Sequence, residues 1–254
     1  MQQLLAGRIA IVTGGGAGIG AGTCEVLARE GATVVVSDIH LATAEEVCHR
    51  IAAQGGRAIA VRTDVAKLAD IDALMALTVK NYGRVDCAFN NAGIPGDFVP
   101  MCEQTEAGFD ALIAVNLKAV WYGMKRQIEQ MLAQGGGAIV NNSSVGGLLG
   151  KPGISIYCAT KHAVLGLTKT AALEYGGRGV RINAVCPGVI RTSILDGIIK
   201  GNPESEAQWS QLQPIGRYGS AEEIGEAVAW LLSDRASLVH GHALAADGGI
   251  VAGR

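Results

Sequence analysis

RIAIVTGGGAGIG (residues 8–20) is the stretch on which the reading of this chain turns. Its first five residues form a short apolar, β-branched run suited to a strand buried on both faces. The run breaks at clustered glycines, and beyond Gly18 the apolar spacing becomes helical. Glycines at such a junction let the backbone turn sharply and approach a ligand, while the helix start offers free N–H groups and a positive dipole end. A strict G-x-G-x-x-G/A spacing is met only through Gly16, Gly18 and Ala21. Asp38 strengthens the nucleotide reading. It closes the run TVVVS twenty residues beyond Gly18, where a carboxylate can bond ribose hydroxyls. The plainer alternative is an Asp that opens a turn.

Outward from this junction the alternation continues to the end of the chain. Strand-like runs stand at about 8–12, 33–37, 57–62, 85–89, 138–143, 180–185 and 242–246. Between them, segments 18–30, 42–53, 67–82, 116–134, 157–175 and 220–232 have apolar spacing near 3.6. Such alternation predicts an α/β fold, a doubly wound Rossmann-like parallel sheet of about seven strands with helices on both faces. No linker divides it, so residues 1–254 are read as one domain. Residues 189 to about 216 depart from the pattern. Ile194, Leu195, Ile198 and Ile199 form an apolar patch, followed by the polar GNPESEAQW. A long insertion on the ligand side of a sheet reads as a substrate lid.

Composition narrows the partners. The 254 residues are 49% hydrophobic with a net charge of −2, enough apolar material for a large core and no basic cluster for nucleic acid. No stretch of about 18 apolar residues suits a bilayer, and the N-terminus lacks the charged and apolar regions of a secretory signal. Six scattered cysteines without C-x-x-C spacing read as reduced thiols of a cytoplasmic protein. No tetrahedral ligand set for zinc is evident.

Asp38 also bears on the cofactor. Its carboxylate would repel a 2′-phosphate, and Ala17, Ile39 and His40 supply no fixed cation to neutralise one, which favours NAD over NADP. At the other end of the chemistry, Tyr157 and Lys161 lie four apart on one predicted helix face. An ammonium near a phenol stabilises phenolate, so Tyr157 can serve as general acid/base towards a hydroxyl or carbonyl oxygen. Ser144, just past the fifth strand, can bond the same oxygen. Asn116, near a predicted helix start, can position water beside Lys161 or simply cap the helix.

Taken in order, TGGGAGIG (13–20), Asp64-Val65, NNAG (90–93), Asn116, Ser144, YCATK (157–161), PGVIRT (187–192) and a C-terminal DGG resemble the short-chain dehydrogenase/reductase family. The resemblance spans essentially the whole chain. It implies an Asn116–Ser144–Tyr157–Lys161 tetrad, with Tyr157 as acid/base and Ser144 as oxygen anchor. Lys161 would hold the nicotinamide ribose and Asn116 the relay water. Gly14, Gly16, Gly18, Ile19 and Gly20 would cradle the diphosphate, with Asp38 on the ribose and Asp64 and Val65 at the adenine. Asn91, Ala92 and Gly93 would line the adenosine side, and Pro187, Gly188, Ile190 and Thr192 the nicotinamide.

The implied reaction interconverts a secondary alcohol and its ketone with NAD. Val145, Leu148, Leu149, Ile154, Ile94 and Phe98 would give an apolar pocket for a carbocyclic or aliphatic substrate. Lys151 and Arg191 are single charges without a clear anion-binding role. A 3-oxoacyl-carrier-protein ketoreductase and an inactive nicotinamide-binding regulator are the alternatives. A sugar-nucleotide epimerase would need an added substrate domain. The many small and apolar positions on the predicted helix 157–175 ask for a second covered face, and the resemblance implies a homotetramer.

Overall fold

The computed structural model describes residues 3–199 and 209–253. Seven strands, β1 (Ile9–Thr13), β2 (Thr33–Asp38), β3 (Arg57–Arg62), β4 (Cys87–Asn90), β5 (Gly137–Asn142), β6 (Val180–Pro187) and β7 (Ala243–Ala246), form one sheet in the order β3-β2-β1-β4-β5-β6-β7. All neighbours are parallel. Order reverses between β1 and β4, and the crevice at such a switch point is where open α/β sheets bind ligands.

Side chains alternate across each strand and divide the core in two. Ala10, Val12, Val34 and Phe89 face the helices α1 (Gly18–Arg29), α2 (Leu41–Ala53) and α8 (Ala221–Leu232). Ile11, Val35, Ala88 and Ile139 face α3 (Leu68–Tyr82), α5 (Ala119–Ala133) and α6 (Ser155–Tyr175). Between β6 and α8 lies the short α7 (Ser193–Ile199), where Leu195 and Ile199 make a satellite cluster with Val189, Trp209, Tyr218 and Ile250. Residues 200–208 of the expected lid lie outside the described residues.

One helix boundary differs from the sequence reading. The helix expected from 116 begins earlier, as α4 (Glu106–Leu112) capped by the Thr105 hydroxyl, and reaches α5 through a π-helical turn, Ile113–Lys118. Within that turn Ala119 N–H bonds the carbonyl of Ala114, five residues back. Asn116 therefore stands in the middle of a continuous helix rather than near its start, and it caps nothing. Apolar periodicity missed the first turns because Glu106, Ala107, Phe109, Asp110 and Ala111 are exposed, which leaves no amphipathic stripe to read.

Candidate active site

The glycine turn after β1 is shaped by contacts that exclude side chains. Gly14 (φ +63°) and Gly18 (φ +51°) occupy the left-handed region, which favours glycine. A Cβ on Gly14 would come within 2.9 Å of Ala92 Cα, and one on Gly20 would strike the Gly14 carbonyl. Gly16 is closed to a side chain as well, since a Cβ there would strike Thr43 Oγ1 and the Asp38 carboxylate, whereas Ala21 is buried in the core on the inner side of α1. No side chain among the described residues caps the start of α1, which leaves its first N–H groups available to an anion. Ile19 packs on the core behind them.

Asp38 stands where β2 meets this turn. Its Oδ2 accepts from Gly16 N–H at 2.9 Å and its Oδ1 from His40 N–H at 3.0 Å. Thr63 N–H, at the end of β3, bonds the Asp38 carbonyl, bringing Asp64 and Val65 to the same edge. Asp64 accepts from Ala66 N–H and lies 3.6 Å from Lys67. Val65 lines a small cavity with Thr13, Asn90 and Ala92.

Ser144, Tyr157 and Lys161 gather two strands further across the edge, beyond β4. Ser144 follows β5, and its Oγ accepts from Gly146 N–H at 3.0 Å. A Cβ on Gly146 would lie 3.4 Å from Tyr157 Cε1 and 3.5 Å from Ser144 Oγ, so Gly146 sits between the two. Burial pushes the Tyr157 phenol up, and a hydrogen bond with the Ser144 side chain draws it back down. Lys161 lies one helical turn beyond Tyr157 and only 3% of it is exposed. Its Nζ donates to the Asn142 main-chain carbonyl at 2.8 Å and lies 5.6 Å from the Tyr157 ring centroid. Burial lowers this ammonium to about 8. The phenol is therefore raised rather than lowered, as desolvation outweighs the Ser144 hydrogen bond. Desolvation dominates at both groups.

Asn116 lies close to Lys161. Its Oδ1 accepts from Ile94 N–H and its Nδ2 donates to the Ile94 carbonyl, both at 2.9 Å. A Cβ on Gly93 would lie 3.3 Å from Asn116 Oδ1 and 3.7 Å from Lys161 Nζ, so Gly93 separates them. The side chain of Asn116 is thus clasped to Ile94, and its backbone lies within the π-helical turn. Asn91 ties this loop to the glycine turn, donating from Nδ2 to the carbonyls of Thr13 and Gly14.

The far wall comes from the end of β6. A Cβ on Gly188 would strike the Gln213 side chain. Gln213 accepts from Val189 N–H and donates to the Val189 and Arg217 carbonyls, fixing the loop after Pro187. Ile190 is buried and bridges Gly219, while Thr192 overhangs Gly18, 3.2 Å from where a Cβ would stand. Trp209 meets the Phe98 ring edge-on at 6.4 Å and carries Lys151 Nζ over its face at 3.7 Å. Three segments far apart in sequence thus meet at the mouth of the crevice. Gln104 joins two of them, accepting from the Ser155 hydroxyl and donating to the carbonyls of Val99 and Gly153. Sequence reading missed Gln104 and Gln213, because a glutamine in a loop carries no periodic signal. It also passed over Asn142, whose signal was available: two asparagines closing an otherwise apolar strand.

A side-chain-free turn at an uncapped helix start fits the diphosphate of a dinucleotide, and Asp38 beside it fits a ribose. With Ser144, Tyr157 and Lys161 on the same sheet edge, the fold and site define a dinucleotide-dependent oxidoreductase. A family model described as enoyl-(acyl carrier protein) reductase matches residues 14–251. The chain is 44% identical over 248 residues to a cyclohexanol dehydrogenase of Acinetobacter sp. (strain SE19), covering 98% of this chain and 96% of that one. It is 43% identical to a 2,5-dichloro-2,5-cyclohexadiene-1,4-diol dehydrogenase of Sphingobium indicum (strain DSM 16412 / CCM 7286 / MTCC 6364 / B90A), covering 98% of both. Among solved structures it superposes on levodione reductase with a TM-score of 0.95 at 37% identity, covering 98% of this chain and 100% of that one. It also superposes on an Agrobacterium tumefaciens protein described as a putative 2-deoxy-D-gluconate 3-dehydrogenase with bound NADP, with a TM-score of 0.90 at 34% identity and 99% coverage of both chains. The chain belongs to the short-chain dehydrogenase/reductase family. It is an enzyme of alcohol–ketone oxidoreduction built to bind a nicotinamide cofactor.

Proposed function

We propose that this enzyme uses NAD to interconvert a secondary alcohol on an apolar carbocycle with its ketone, Tyr157 acting as acid/base. The observation that carries the reading is the apposition of Ser144 and Tyr157 beside the buried Lys161 ammonium. The dinucleotide, when bound, supplies or accepts the hydride. Tyr157 takes the hydroxyl proton of the alcohol, or returns it to the ketone oxygen. Ser144 donates to that oxygen as charge develops on it. Lys161 contributes positive charge that favours phenolate and a donor for the ribose. Asn116 holds water behind Lys161 for proton exchange with solvent. Gly14, Gly16, Gly18, Ile19 and Gly20 surround the diphosphate, and Asp64, Val65, Asn91, Ala92 and Gly93 the adenosine. Pro187, Gly188, Ile190 and Thr192 face the nicotinamide.

Asp38 supports NAD. One of its oxygens engages Gly16 of the glycine turn and the other His40, where the carboxylate would meet ribose hydroxyls and repel a 2′-phosphate. Two relatives act, by their names, on ring alcohols, in keeping with the apolar pocket expected from Leu148, Leu149, Ile154 and Phe98. Against a carrier-protein substrate, Lys151 is engaged over Trp209 and Arg191 pairs with Asp196 at 2.7 Å, so neither cation waits for a phosphate. Residues 189–216 would cover the substrate within a single catalytic domain. We place the enzyme in the cytoplasm, where its unpaired thiols stay reduced, as a homotetramer. The test is a substrate panel with NAD and NADP: cyclohexanols, open-chain secondary alcohols and a carrier-linked 3-oxo ester. Cyclic alcohols with NAD should lead. Preference for the carrier-linked ester would overturn the substrate reading, and equal use of both cofactors the NAD reading.

A further inference from the structure

The ends of β4 and β5 carry two pairs of asparagines, one on each face of the sheet. On one face Asn90 Nδ2 donates to Asn141 Oδ1 and Gln127 Oε1, and Asn141 Nδ2 reaches Thr168 on α6. That set ties the sheet to α5 and α6 and closes on itself. On the other face the set runs through the site. Asn91 Nδ2 donates to the Thr13 and Gly14 carbonyls, and Asn91 Oδ1 accepts from Asn142 Nδ2 at 2.9 Å. The main-chain carbonyl of the same Asn142 accepts from Lys161 Nζ.

Orientation within this chain is forced. The two carbonyls at Thr13 and Gly14 require the Asn91 NH2 on their side, which turns its oxygen to Asn142 and requires an NH2 there in turn. Asn142 Oδ1 is left buried with no partner among the described residues. An unmet buried acceptor is a cost that a leucine at this strand position would avoid. Stability does not account for Asn142, whereas its links do.

We infer that Asn142 is a positioning residue joining the nucleotide turn to the catalytic ammonium: its side chain holds Asn91 against Gly14 while its backbone holds Lys161. This rests on the reading of Lys161 as part of the reacting set, but its deciding readout is cofactor affinity. Removing the amide frees Asn91 to rotate and leaves the Gly14 turn without its brace, so the turn loses its shape for the diphosphate.

The experiment is equilibrium titration of the full-length enzyme with NADH, followed by nucleotide fluorescence, for wild type, Asn142→Leu and Val140→Ala. Val140 is buried on the same strand and touches none of these bonds. Asn142→Leu should weaken NADH about tenfold, about 1.4 kcal/mol, with substrate KM at saturating cofactor within twofold of wild type. Val140→Ala should melt earlier yet bind NADH within twofold. Should Asn142→Leu fail to fold, Asn142→Ser, too short to reach Asn91, must show the same weakening. NADH affinity within twofold of wild type in the folded variant overturns the inference, as does equal weakening by Val140→Ala. A wild type that binds only NADPH would strike the NAD reading instead, and the same comparison is then made with NADPH.

Discussion

Lys161 reaches past the ring of Tyr157, 5.6 Å from its centroid, to bond the carbonyl of Asn142. The two groups that should share a proton-transfer role are therefore held apart by burial and by a backbone acceptor. Each is shifted towards its neutral form, as desolvation without a counter-charge requires.

Tyr157→Phe should leave less than about one hundredth of wild-type kcat with NADH affinity nearly unchanged, because only the proton donor is lost. Ser144→Ala removes the hydrogen bond that draws the phenol down, so residual alcohol oxidation should reach half-maximum at a higher pH than in wild type. Steady-state pH profiles check both, once a substrate isotope effect shows that hydride transfer limits the rate. An unshifted profile in Ser144→Ala would remove that residue from phenol tuning.

The Lys161 shift has a consequence for stability without ligand. Folded, the ammonium titrates at about 8, against the ordinary 10.5. Between those values the unfolded chain holds a proton that the folded chain has released, so stability rises with pH across this window. Below about 7 both states carry the proton and the term is flat. The melting temperature of wild type minus that of Lys161→Met should therefore climb from about pH 8 to about pH 10 and level off on either side. A difference independent of pH would mean that the ammonium is solvated or paired in solution.

The fold was legible because each of its signals is local. The β-branched runs, the glycine break after Thr13 and the helical spacing beyond Gly18 each report a few neighbouring residues, and the sheet follows from their alternation. Tyr157 and Lys161 were legible for the same reason, being one helical turn apart. What the sequence hid is tertiary. The clasp of Asn116 on Ile94, the contacts that exclude a side chain at Gly14, Gly16 and Gly20, and the bracing by Gln213 and Asn142 all depend on which groups approach across the sheet edge. No periodicity encodes that approach. The balance of burial against charge at Tyr157 is equally invisible before the side chains are packed.

Asp38→Ala should narrow the NAD preference, from at least about tenfold in kcat/KM towards parity. The carboxylate would no longer repel a 2′-phosphate, and Gly16 N–H, which it now engages, would become free to donate. Initial rates with both cofactors measure this. An unchanged ratio would move the source of discrimination away from β2.

Trp209 should act on substrate and not on cofactor. Its ring joins Phe98 and Lys151 at the crevice mouth, away from the glycine turn. Such a cation–π contact is worth about 0.5–2 kcal/mol. Trp209→Ala should accordingly raise substrate KM several-fold while NADH affinity stays within twofold, and Lys151→Met should give a smaller change in the same direction. Equal loss of cofactor affinity would show that the whole segment after β6 had collapsed.

Assembly turns on the outer face of α6. Ala159, Gly166, Thr170 and Leu173 are exposed there, with Leu173 at 88%, and Trp121 on α5 is 47% exposed. Gly166 is the informative position, since no atom of the described residues lies within 4 Å of a Cβ placed on it. In an isolated chain Gly166→Ala would be stabilising by about 0.5–1 kcal/mol, as in any open helix, and Gly166→Arg would be harmless. If instead the face packs against a second copy, the added guanidinium is driven into an apolar contact between closely approaching helices and the interface fails. A tetramer built from two isologous interfaces would then fall to dimers. Sedimentation at micromolar concentration should therefore give a tetramer for wild type and a dimer for Gly166→Arg, with reduced specific activity, because α6 carries Tyr157 and Lys161. A fully active wild-type monomer would refute both the assembly and its link to catalysis, whereas a tetramer that survives Gly166→Arg would place the interface on another face.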